Sequence, residues 1–431
     1  MNLCRPYVRL YRSVHAMASP PSFQAFYPFT RLNRLLEGSP PGPSPAPDGE
    51  PVLLSLGEPR HRPPAFVAGA LADNADGWSR YPLPRGTPGY RRAVADWLTH
   101  RYGLPADAVA TGGALDPEAA ILPLPGSREG LFFAALATLS AGRDAPNGGG
   151  KTKVLLPNPF YHVYMGAALA AGGEPVLMPA SAESGHLPEP EALDPAVLDQ
   201  AALCYFCTPA NPQGAVADTA RLKRLIALAR KHDFVLALDE CYSEIYTGDP
   251  PAGALQAALA TNGGLDNVLA FHSLSKRSSA PGLRCGFVAG DPRLIEKLDE
   301  ALRVGGAGVP LPVLAAGERL WRDEVHVAEN RALYRQKFAI AERVIGGRFG
   351  FRLPAGGFFL WLEVGDGEAA ALELWRHGGM KVLPGAYMGA DMPDGRNPGK
   401  PYIRVALIHD AALVEAALER LAVILTNRKS L

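Results

Sequence analysis

The sequence has few cysteines, no excess charge of either sign and no long apolar run. Its 431 residues include five Cys, 43 Lys plus Arg and 43 Asp plus Glu. So few cysteines exclude a disulfide scaffold, and balanced charge gives a nucleic-acid partner no electrostatic support. The longest apolar candidate, residues 131–139, is about half of the ~18 residues that span a bilayer. We therefore expect a soluble, cytoplasmic protein that binds neither nucleic acid nor membrane.

Composition and local patterns predict two domains. Hydrophobic residues make up 47% and charged residues 20% of the chain, values typical of globular proteins. Residues 1–22 are basic but lack the continuous apolar segment of a signal peptide, so we expect a loose N-terminal extension. We predict a segment packing with the smaller domain, a large domain and a small C-terminal domain, over residues 23–60, 61–315 and 316–431.

The spacing of apolar residues predicts an α/β fold. Short apolar runs alternate with amphipathic helical patterns such as residues 221–232, for which Asp218 is a plausible cap. Strands that are apolar on both faces, with helices between them, indicate a mostly parallel sheet. The predicted strands are residues 153–156, 175–178, 202–207, 234–238, 268–271 and 285–289. After residue 330 the order of helices and strands indicates a smaller α+β domain.

Cys204 and Cys207 form a C-x-x-C pattern within an apolar run. An offset of three residues places the two thiols on opposite faces of a strand. A redox dithiol normally opens a helix, and a structural zinc site needs a second pair of ligands. We therefore interpret both residues as buried thiols in a core strand, and we expect no metal site.

The most informative stretch is residues 271–287, in which a predicted strand runs into a hydroxyl-rich turn. A single lysine after a strand is usually a solvated surface residue. Here the hydroxyls of Ser273 and Ser275 and the guanidinium of Arg284 could surround a phosphate while Lys276 bonds a carbonyl carbon. This grouping suits a phosphorylated aldehyde cofactor held covalently by Lys276.

Asp239 ends a second predicted strand. A carboxylate at the carboxyl end of a central parallel strand points into the ligand crevice of an α/β sheet. Paired with a pyridine nitrogen, it would keep that ring protonated, and Tyr242, about one turn later, could donate to a ring oxygen. The alternative is that Asp239 merely caps a helix.

Two weaker patterns complete the set. Asn211 lies in a proline-rich turn after the strand at residues 202–207, where a plain turn asparagine is the alternative. Ser127 and Arg128 open an apolar helix, whose free backbone N–H groups and dipole suit a phosphate. Many helices begin in this way, so this pattern alone is weak.

Together these residues resemble the fold type I pyridoxal-phosphate enzymes, specifically the class I/II aminotransferases. The series Asn211, Asp239, Tyr242, Lys276 and Arg284 has offsets of 28, 3, 34 and 8, which fit that family, and the resemblance covers about residues 23–425. The closer resemblance is to bacterial N-succinyldiaminopimelate aminotransferases. It rests on the strings FHSLSKRS, DECYSEIY, NPFY, SLGEP and VLPG.

The resemblance implies the residues that hold pyridoxal 5'-phosphate. Lys276 resembles the lysine that binds the cofactor covalently and moves the substrate proton. Asp239 resembles the partner of the pyridine nitrogen, and Asn211 and Tyr242 resemble the partners of the ring oxygen. The phosphate is expected among Ser127, Arg128, Ser273, Ser275 and Arg284.

The resemblance also implies substrate contacts and an assembly. Tyr161 matches the aromatic residue stacked on the cofactor ring, and Arg404 matches the arginine that binds the substrate α-carboxylate bidentately. Gly57 matches a backbone contact that closes over that carboxylate. Tyr81 matches a tyrosine that reaches the site of the neighbouring subunit, so a homodimer is expected.

The implied reaction is transamination between an amino acid and a 2-oxo acid. We expect glutamate and 2-oxoglutarate on one side and succinylated 2-amino-6-oxopimelate on the other. The stretch around Arg85 departs from the family pattern, and we expect Arg85 near the substrate entrance. The nearest alternatives are a C–S lyase on the same scaffold or an aminotransferase of aspartate, glutamine or aromatic type.

Two other classes of protein are disfavoured. A pyridoxal-binding regulator without turnover would need a DNA-binding domain, and the segment before Phe23 is too short for one. A structural protein on this fold would have no need for Lys276 and Asp239 together.

Overall fold

The computed structural model describes residues 27–143 and 150–428, so the predicted N-terminal extension lies outside the described residues. The strands are β1 (Val52–Leu53), β2 (Ile121–Leu124), β3 (Lys153–Asn158), β4 (Glu174–Pro179), β5 (Ala201–Cys207), β6 (Val235–Asp239), β7 (Val268–Ser273), β8 (Gly286–Gly290), β9 (Phe359–Glu363), β10 (Met380–Lys381), β11 (Leu383–Pro384) and β12 (Tyr402–Ala406).

Helices cover both faces of the strands. They are α1 (Pro28–Leu36), α2 (Phe66–Asp73), α3 (Pro88–Tyr102), α4 (Pro117–Ala120), α5 (Ser127–Arg143), α6 (His162–Ala170), α7 (Pro195–Asp199), α8 (Thr219–Lys231), α9 (Ala254–Leu259), α10 (Leu274–Arg277), α11 (Pro292–Gly305), α12 (Leu311–Arg322), α13 (Val325–Ile345), α14 (Gly367–Gly378) and α15 (Ala411–Arg428). Across the described ranges, no helix is long and apolar enough to cross a membrane.

A sheet of seven strands forms the centre of the described residues. Its order is β2-β8-β7-β6-β5-β3-β4, and β8 alone runs antiparallel to its neighbours. Every residue of β5 and β6 is buried, as expected for strands covered on both faces by helices. Burying a side chain such as Phe206, which is 0% exposed, contributes roughly 1.5–3 kcal/mol. The predicted α/β class with a mostly parallel sheet is confirmed.

The predicted strands of this sheet all form, with ends shifted by one or two residues. Strand β2 was not predicted, because Pro123 and Pro125 make its sequence resemble a loop. Proline is tolerated at the edge of a sheet, and β2 occupies that edge with β8 as its partner. The predicted cap of α8 is confirmed, since Asp218 Oδ1 accepts from the Arg221 N–H at 2.7 Å. Cys204 and Cys207 are buried free thiols in β5, as predicted.

A smaller sheet forms near the carboxyl end of the chain. Strands β11, β12 and β9 are antiparallel, and β1 pairs in parallel with β10. The β1-β10 pair is a separate two-stranded sheet. Residues 52–62, here called the N-terminal strap, contain β1 and reach the smaller sheet where the Ala406 N–H donates to the Leu54 carbonyl oxygen at 2.8 Å. The predicted domain limit at residue 316 lies inside α12, which packs on α2 and α3. The division into domains therefore stays a prediction.

Candidate active site

The carboxyl ends of three adjacent parallel strands define the site. Strands β5, β6 and β7 are neighbours, and Cys207 of β5 is aligned with Asp239 of β6. Side chains that follow these strand ends therefore meet at one edge of the sheet. They line a cavity of about 470 Å³ together with residues from the strap, α5, α6 and the smaller sheet. The predicted residues in its wall are Gly57, Ser127, Arg128, Tyr161, Asn211, Asp239, Tyr242, Ser273, Ser275, Lys276, Arg284 and Arg404.

Lys276 lies in α10, the short helix that follows β7. Its Nζ donates to the carbonyl oxygen of Gly57 at 2.5 Å and lies 5.9 Å from the centroid of the Tyr242 ring. Burial, reinforced by the charges of Arg404 and Arg128, lowers the pKa of Lys276 to about 8. A lysine with such a pKa has an appreciable fraction of neutral amine near neutral pH, as a nucleophile or proton acceptor needs.

Asp239 is a buried carboxylate with neutral hydrogen-bond donors. Its Oδ2 accepts from the hydroxyl of Tyr164 at 2.7 Å, and its Oδ1 accepts from the backbone N–H of Cys241 at 3.2 Å. Burial raises the pKa of Asp239. A cationic ligand group beside this carboxylate would offset the cost of its desolvation.

The hydroxyls and the arginine predicted to hold a phosphate lie at one end of the cavity. Ser273 caps α10, and its Oγ accepts from the backbone N–H of Ser275 at 3.2 Å. Helix α5 begins at Ser127, so the free N–H groups of its first turn are directed there. Arg284 pairs with Glu129 at 3.0 Å and donates to the carbonyl oxygen of Pro125 at 2.8 Å.

Gly126 allows this close packing. It has φ +89°, and a Cβ atom at this position would lie 2.5 Å from Nη2 of Arg284. Any larger residue would therefore be strained and would displace the guanidinium from the phosphate end of the cavity.

Tyr161 and Arg128 contact each other in the wall of the cavity. Arg128 Nε donates to the hydroxyl of Tyr161 at 2.9 Å. Both side chains line the cavity. His162 follows in the same wall, and burial lowers its pKa to about 4. His162 is therefore neutral at physiological pH.

Arg404 in β12 is a buried guanidinium, 4% exposed. Its Nη1 donates to Asn211 Oδ1 at 3.0 Å, and its Nη2 donates to the carbonyl oxygen of Ser55 at 2.5 Å. Burial lowers the pKa of Arg404 to about 10. Its Nε has no hydrogen-bond partner within the described ranges. Arg404 lines the cavity, and its guanidinium has the charge and the donors that a carboxylate requires.

Gly57 fills a narrow position in the strap. A Cβ atom there would lie 2.8 Å from Cζ of Phe359, while the ring of Tyr242 packs edge-on against the same phenylalanine. The strap therefore approaches Phe359 more closely than a residue with a side chain would allow.

Two residues singled out from the sequence do not line this cavity. Tyr81 is 97% exposed, and its contribution to a neighbouring subunit stays a prediction. Arg85 pairs with Glu296 at 2.9 Å and lies 3.6 Å from Asp299. Arg85 does not line the cavity of its own chain, and its expected position near the entrance stays a prediction.

Sequence reasoning missed Tyr164, Cys241 and the aromatic outer wall, which contains Tyr27, His162 and Tyr387. Tyr164 lies three residues after Tyr161, at the start of α6, so helical spacing could have indicated it. The outer wall combines residues that are distant in sequence, and no local pattern brings them together.

The residues fit pyridoxal phosphate by the chemistry of their donor and acceptor groups. A buried carboxylate suits the pyridine nitrogen, an amine of lowered pKa suits the aldehyde, and hydroxyls with a helix N-terminus suit the phosphate. Lys276, Asp239, Asn211, Tyr242 and the phosphate-end residues would hold the group.

Comparisons with known proteins agree with this chemistry. Residues 50–421 match the family described as aminotransferase class I and II. The chain is 33% identical over 381 residues to the 4-dedimethylamino-4-oxo-anhydrotetracycline transaminase OxyQ of Streptomyces rimosus, covering 87% of this chain and 94% of that protein. It is 31% identical to an LL-diaminopimelate aminotransferase of Dehalococcoides mccartyi, covering 87% and 91%. A crystal structure of an aminotransferase from Neisseria meningitidis superposes with a TM-score of 0.83 at 37% identity, covering 92% and 97%.

Proposed function

The chain belongs to the class I and II aminotransferases, a pyridoxal-phosphate-dependent family, and on this premise we propose that it transfers the amino group of N-succinyl-LL-diaminopimelate to 2-oxoglutarate. The observation that carries the proposal is the meeting of Lys276, Asp239 and Arg404 in one cavity. When bound, the cofactor supplies a protonated ring that accepts the electron pair released as a substrate Cα–H bond breaks.

Each of these residues has a separate task. Arg404 holds the substrate α-carboxylate and so orients the Cα–H bond, an effect that can lower the barrier by several kcal/mol. Lys276, through Nζ, takes the proton from the substrate carbon and later returns one. Asp239 keeps a positive charge on the ring nitrogen, because its carboxylate is buried and fixed by Tyr164.

The charge of the cavity supports an anionic substrate. Among the described residues, its wall contains four basic and two acidic side chains, namely Arg128, Lys276, Arg284, Arg404, Glu58 and Asp239. Arg284 is assigned to the phosphate and Arg404 to the α-carboxylate. Arg128 was expected at the phosphate, but its Nε donates to the Tyr161 hydroxyl at 2.9 Å, and we assign it instead to a second carboxylate. Both 2-oxoglutarate and the succinylated substrate carry such a group. The relatives named for LL-diaminopimelate support a diaminopimelate carbon skeleton.

The decisive experiment compares acylated and free diaminopimelate. Protein loaded with the cofactor is mixed with 2-oxoglutarate and either N-succinyl-LL-diaminopimelate or LL-diaminopimelate, and glutamate release is measured. Saturable release with the succinylated compound, at a higher kcat/KM than with the free one, would support the proposal. A higher kcat/KM with LL-diaminopimelate would indicate that this protein has the activity for which its relatives are named. Glutamate release with neither compound would contradict the proposed substrate and leave the family assignment unchanged.

Arg404→Lys is expected to raise KM for the amino acid about 10- to 100-fold. The ammonium group of lysine loses the bidentate contact, and a hydrogen bond to a charged group contributes about 1.5–3 kcal/mol. The measurement is a steady-state KM with glutamate as donor. Arg221→Lys is a matched control, because Arg221 on α8 contacts Pro188 outside the cavity. An unchanged KM in Arg404→Lys would argue against the carboxylate assignment.

The rate at which the cofactor-free protein captures pyridoxal phosphate is expected to rise with pH and level off above about 8. Only the neutral amine attacks an aldehyde, and burial lowers the pKa of Lys276 to about 8. Stopped-flow absorbance from pH 6 to 10 would follow the capture. A rate that keeps rising to pH 10 would indicate a lysine of ordinary pKa and contradict the described burial.

We also propose that the protein is a cytoplasmic homodimer. The nearly complete exposure of the Tyr81 ring supports the assembly, since an aromatic side chain on a surface is often a partner contact. Sedimentation of the wild type and of Tyr81→Ala would measure it. A monomeric wild type would contradict the proposed assembly.

A further inference from the structure

A chain of hydrogen bonds connects a buried lysine of α13 to the backbone of Lys276. Lys337 is 2% exposed, and its Nζ donates to His61 Nε2 at 2.6 Å and to the carbonyl oxygen of Leu407 at 3.2 Å. His61 Nδ1 lies 2.7 Å from Asn330 Oδ1. Asn330 Nδ2 then donates to the carbonyl oxygens of Lys276 and Arg277 at 3.1 and 3.2 Å.

The partners of Asn330 define the protonation of the His61 ring. The two backbone carbonyls can only accept, so they face the amide nitrogen of Asn330, and its oxygen is left for His61 and for the Ser279 hydroxyl at 3.1 Å. His61 Nδ1 must therefore carry a proton, and Nε2 must accept from Lys337. The chain thus requires a neutral His61 with the proton on Nδ1.

The strap is linked to Lys276 twice, directly at the side chain and through Asn330 at the backbone. Gly57 accepts from Nζ of Lys276, while His61, four residues later, reaches the Lys276 carbonyl through Asn330. On α13, Asn330 and Lys337 are seven residues apart and lie on one helical face with Tyr334, whose ring centroid is 4.6 Å from that of His61. The strap, α13 and α10 are thereby joined around one catalytic side chain.

We propose that His61 and Asn330 are positioning residues for the reaction and hold the backbone of Lys276 in place through the Nδ1–H form of His61, which Lys337 favours by donating to Nε2. The inference rests on the proposed function, because it assigns Lys276 the catalytic role. It adds three side chains that line no part of the cavity. The position of the Lys276 amine depends on the position of the Lys276 backbone. A displacement of a catalytic group by about 1 Å can lower the rate about 100-fold.

Two substitutions of His61 distinguish the roles of its two ring nitrogen atoms. In His61→Asn, the side-chain amide can stand in for Nδ1–H and donate to Asn330. In His61→Gln, the longer side chain can stand in for Nε2 and accept from Lys337, but it leaves the oxygen of Asn330 without this donor. We expect kcat close to that of wild type in His61→Asn and about 10- to 100-fold lower in His61→Gln, with KM little changed in both.

A second readout does not depend on turnover. Without substrate, the pH midpoint at which the absorbance of the bound cofactor changes reports the surroundings of Lys276. This pH midpoint is expected to shift in His61→Gln and to remain unchanged in His61→Asn. His232→Asn and His232→Gln are matched controls, because His232 is a buried histidine that pairs with Asp199 at 2.6 Å outside the cavity.

The wild-type protein itself provides a third test, which applies even where a variant fails to fold. Nitrogen-15 NMR of labelled histidines should show His61 neutral with Nδ1 protonated at pH 7.5. A ring protonated on Nε2 at that pH would overturn the proposal. The proposal would also be overturned if His61→Asn and His61→Gln had the same kcat. This holds whether both values are normal or both are reduced together with an equal loss of Tm.

Lys337→Met tests the far end of the chain. Burial and the Lys337 charge lower the pKa of His61, whereas its bond to Asn330 raises it. A histidine whose folded pKa is lowered stabilises the fold above its unfolded pKa of about 6.5 and loses that contribution as pH falls below it. The charged or titratable groups around His61 and Lys337 are Arg60, Tyr334, His409 and Asp410. Removing the ammonium group should raise the His61 midpoint in the NMR titration, and an unmoved midpoint would exclude Lys337 from the chain.

These outcomes distinguish the two proposals. If the wild type releases no glutamate from any donor, the proposed function fails, while the NMR and absorbance readouts still test the hydrogen-bond chain. If the wild type turns over normally and the two His61 variants do not differ, the hydrogen-bond chain fails and the function stands.

Discussion

Lys276→Ala is expected to abolish transamination. The variant loses the amine that bonds the cofactor and the base that moves the substrate proton, and a positioned base alone contributes about 10²- to 10⁴-fold. The protein should fold, because Lys276 donates one side-chain hydrogen bond, to Gly57, and that carbonyl oxygen lies beside the cavity. The measurements are glutamate formation and the visible absorbance of cofactor held by the lysine, and both are expected to vanish.

Lys231→Ala is the control for this experiment, since Lys231 is exposed at the end of α8. A small primary amine added to Lys276→Ala should restore part of the rate, because it supplies the missing base without the side chain. Full activity of the variant without added amine would contradict the assigned mechanism.

Asp239→Asn is expected to lower kcat about 10²- to 10³-fold, the usual loss when one preorganised electrostatic partner is removed. Asparagine has nearly the same shape and can keep the contact with Tyr164, so cofactor binding should survive. Its neutral amide no longer favours a proton on the ring nitrogen, and the ring then withdraws electrons less strongly. Single-turnover absorbance with glutamate would measure the loss in the chemical step.

The same substitution is expected to stabilise the cofactor-free protein. Burial raises the pKa of Asp239, so its negative charge costs folding free energy once the pH exceeds the unfolded value. The Tm of the cofactor-free variant should therefore exceed that of wild type at pH 7.5. Asp299→Asn is a matched control, because Asp299 is a buried carboxylate paired with Arg303 outside the cavity.

A near-normal kcat in Asp239→Asn would argue against the electronic role.

Much of the fold and most of the site were predictable because they depend on local patterns. Strand β6 is an apolar run that ends in Asp239, and β7 ends in Ser273, three residues before Lys276. Parallel strands bring their carboxyl ends to one edge, so the order of these residues along the chain already implied their meeting. The capping of α8 by Asp218 was likewise visible in its spacing.

Other features depend on contacts that no local pattern encodes. Arg85 follows Tyr81 closely in sequence, but its guanidinium pairs with Glu296, which lies 211 residues later in α11. His61 and Lys337 are 276 residues apart, and they meet where the strap packs against α13. A lone histidine or lysine in a sequence is most often a surface residue, so only the assembled structure distinguishes these two.

The pairing of β1 with β10 has a consequence for biosynthesis. Ser55 contacts Arg404 across 349 residues of sequence, so this part of the strap has its partner only once residue 404 has been synthesised. Contacts of such long range form late, after local helices and neighbouring strands. A nascent chain on the ribosome can assemble the parallel sheet and the phosphate end of the cavity while the carboxylate end is still missing. The enzyme should therefore acquire its affinity for substrate only after Arg404 has been synthesised.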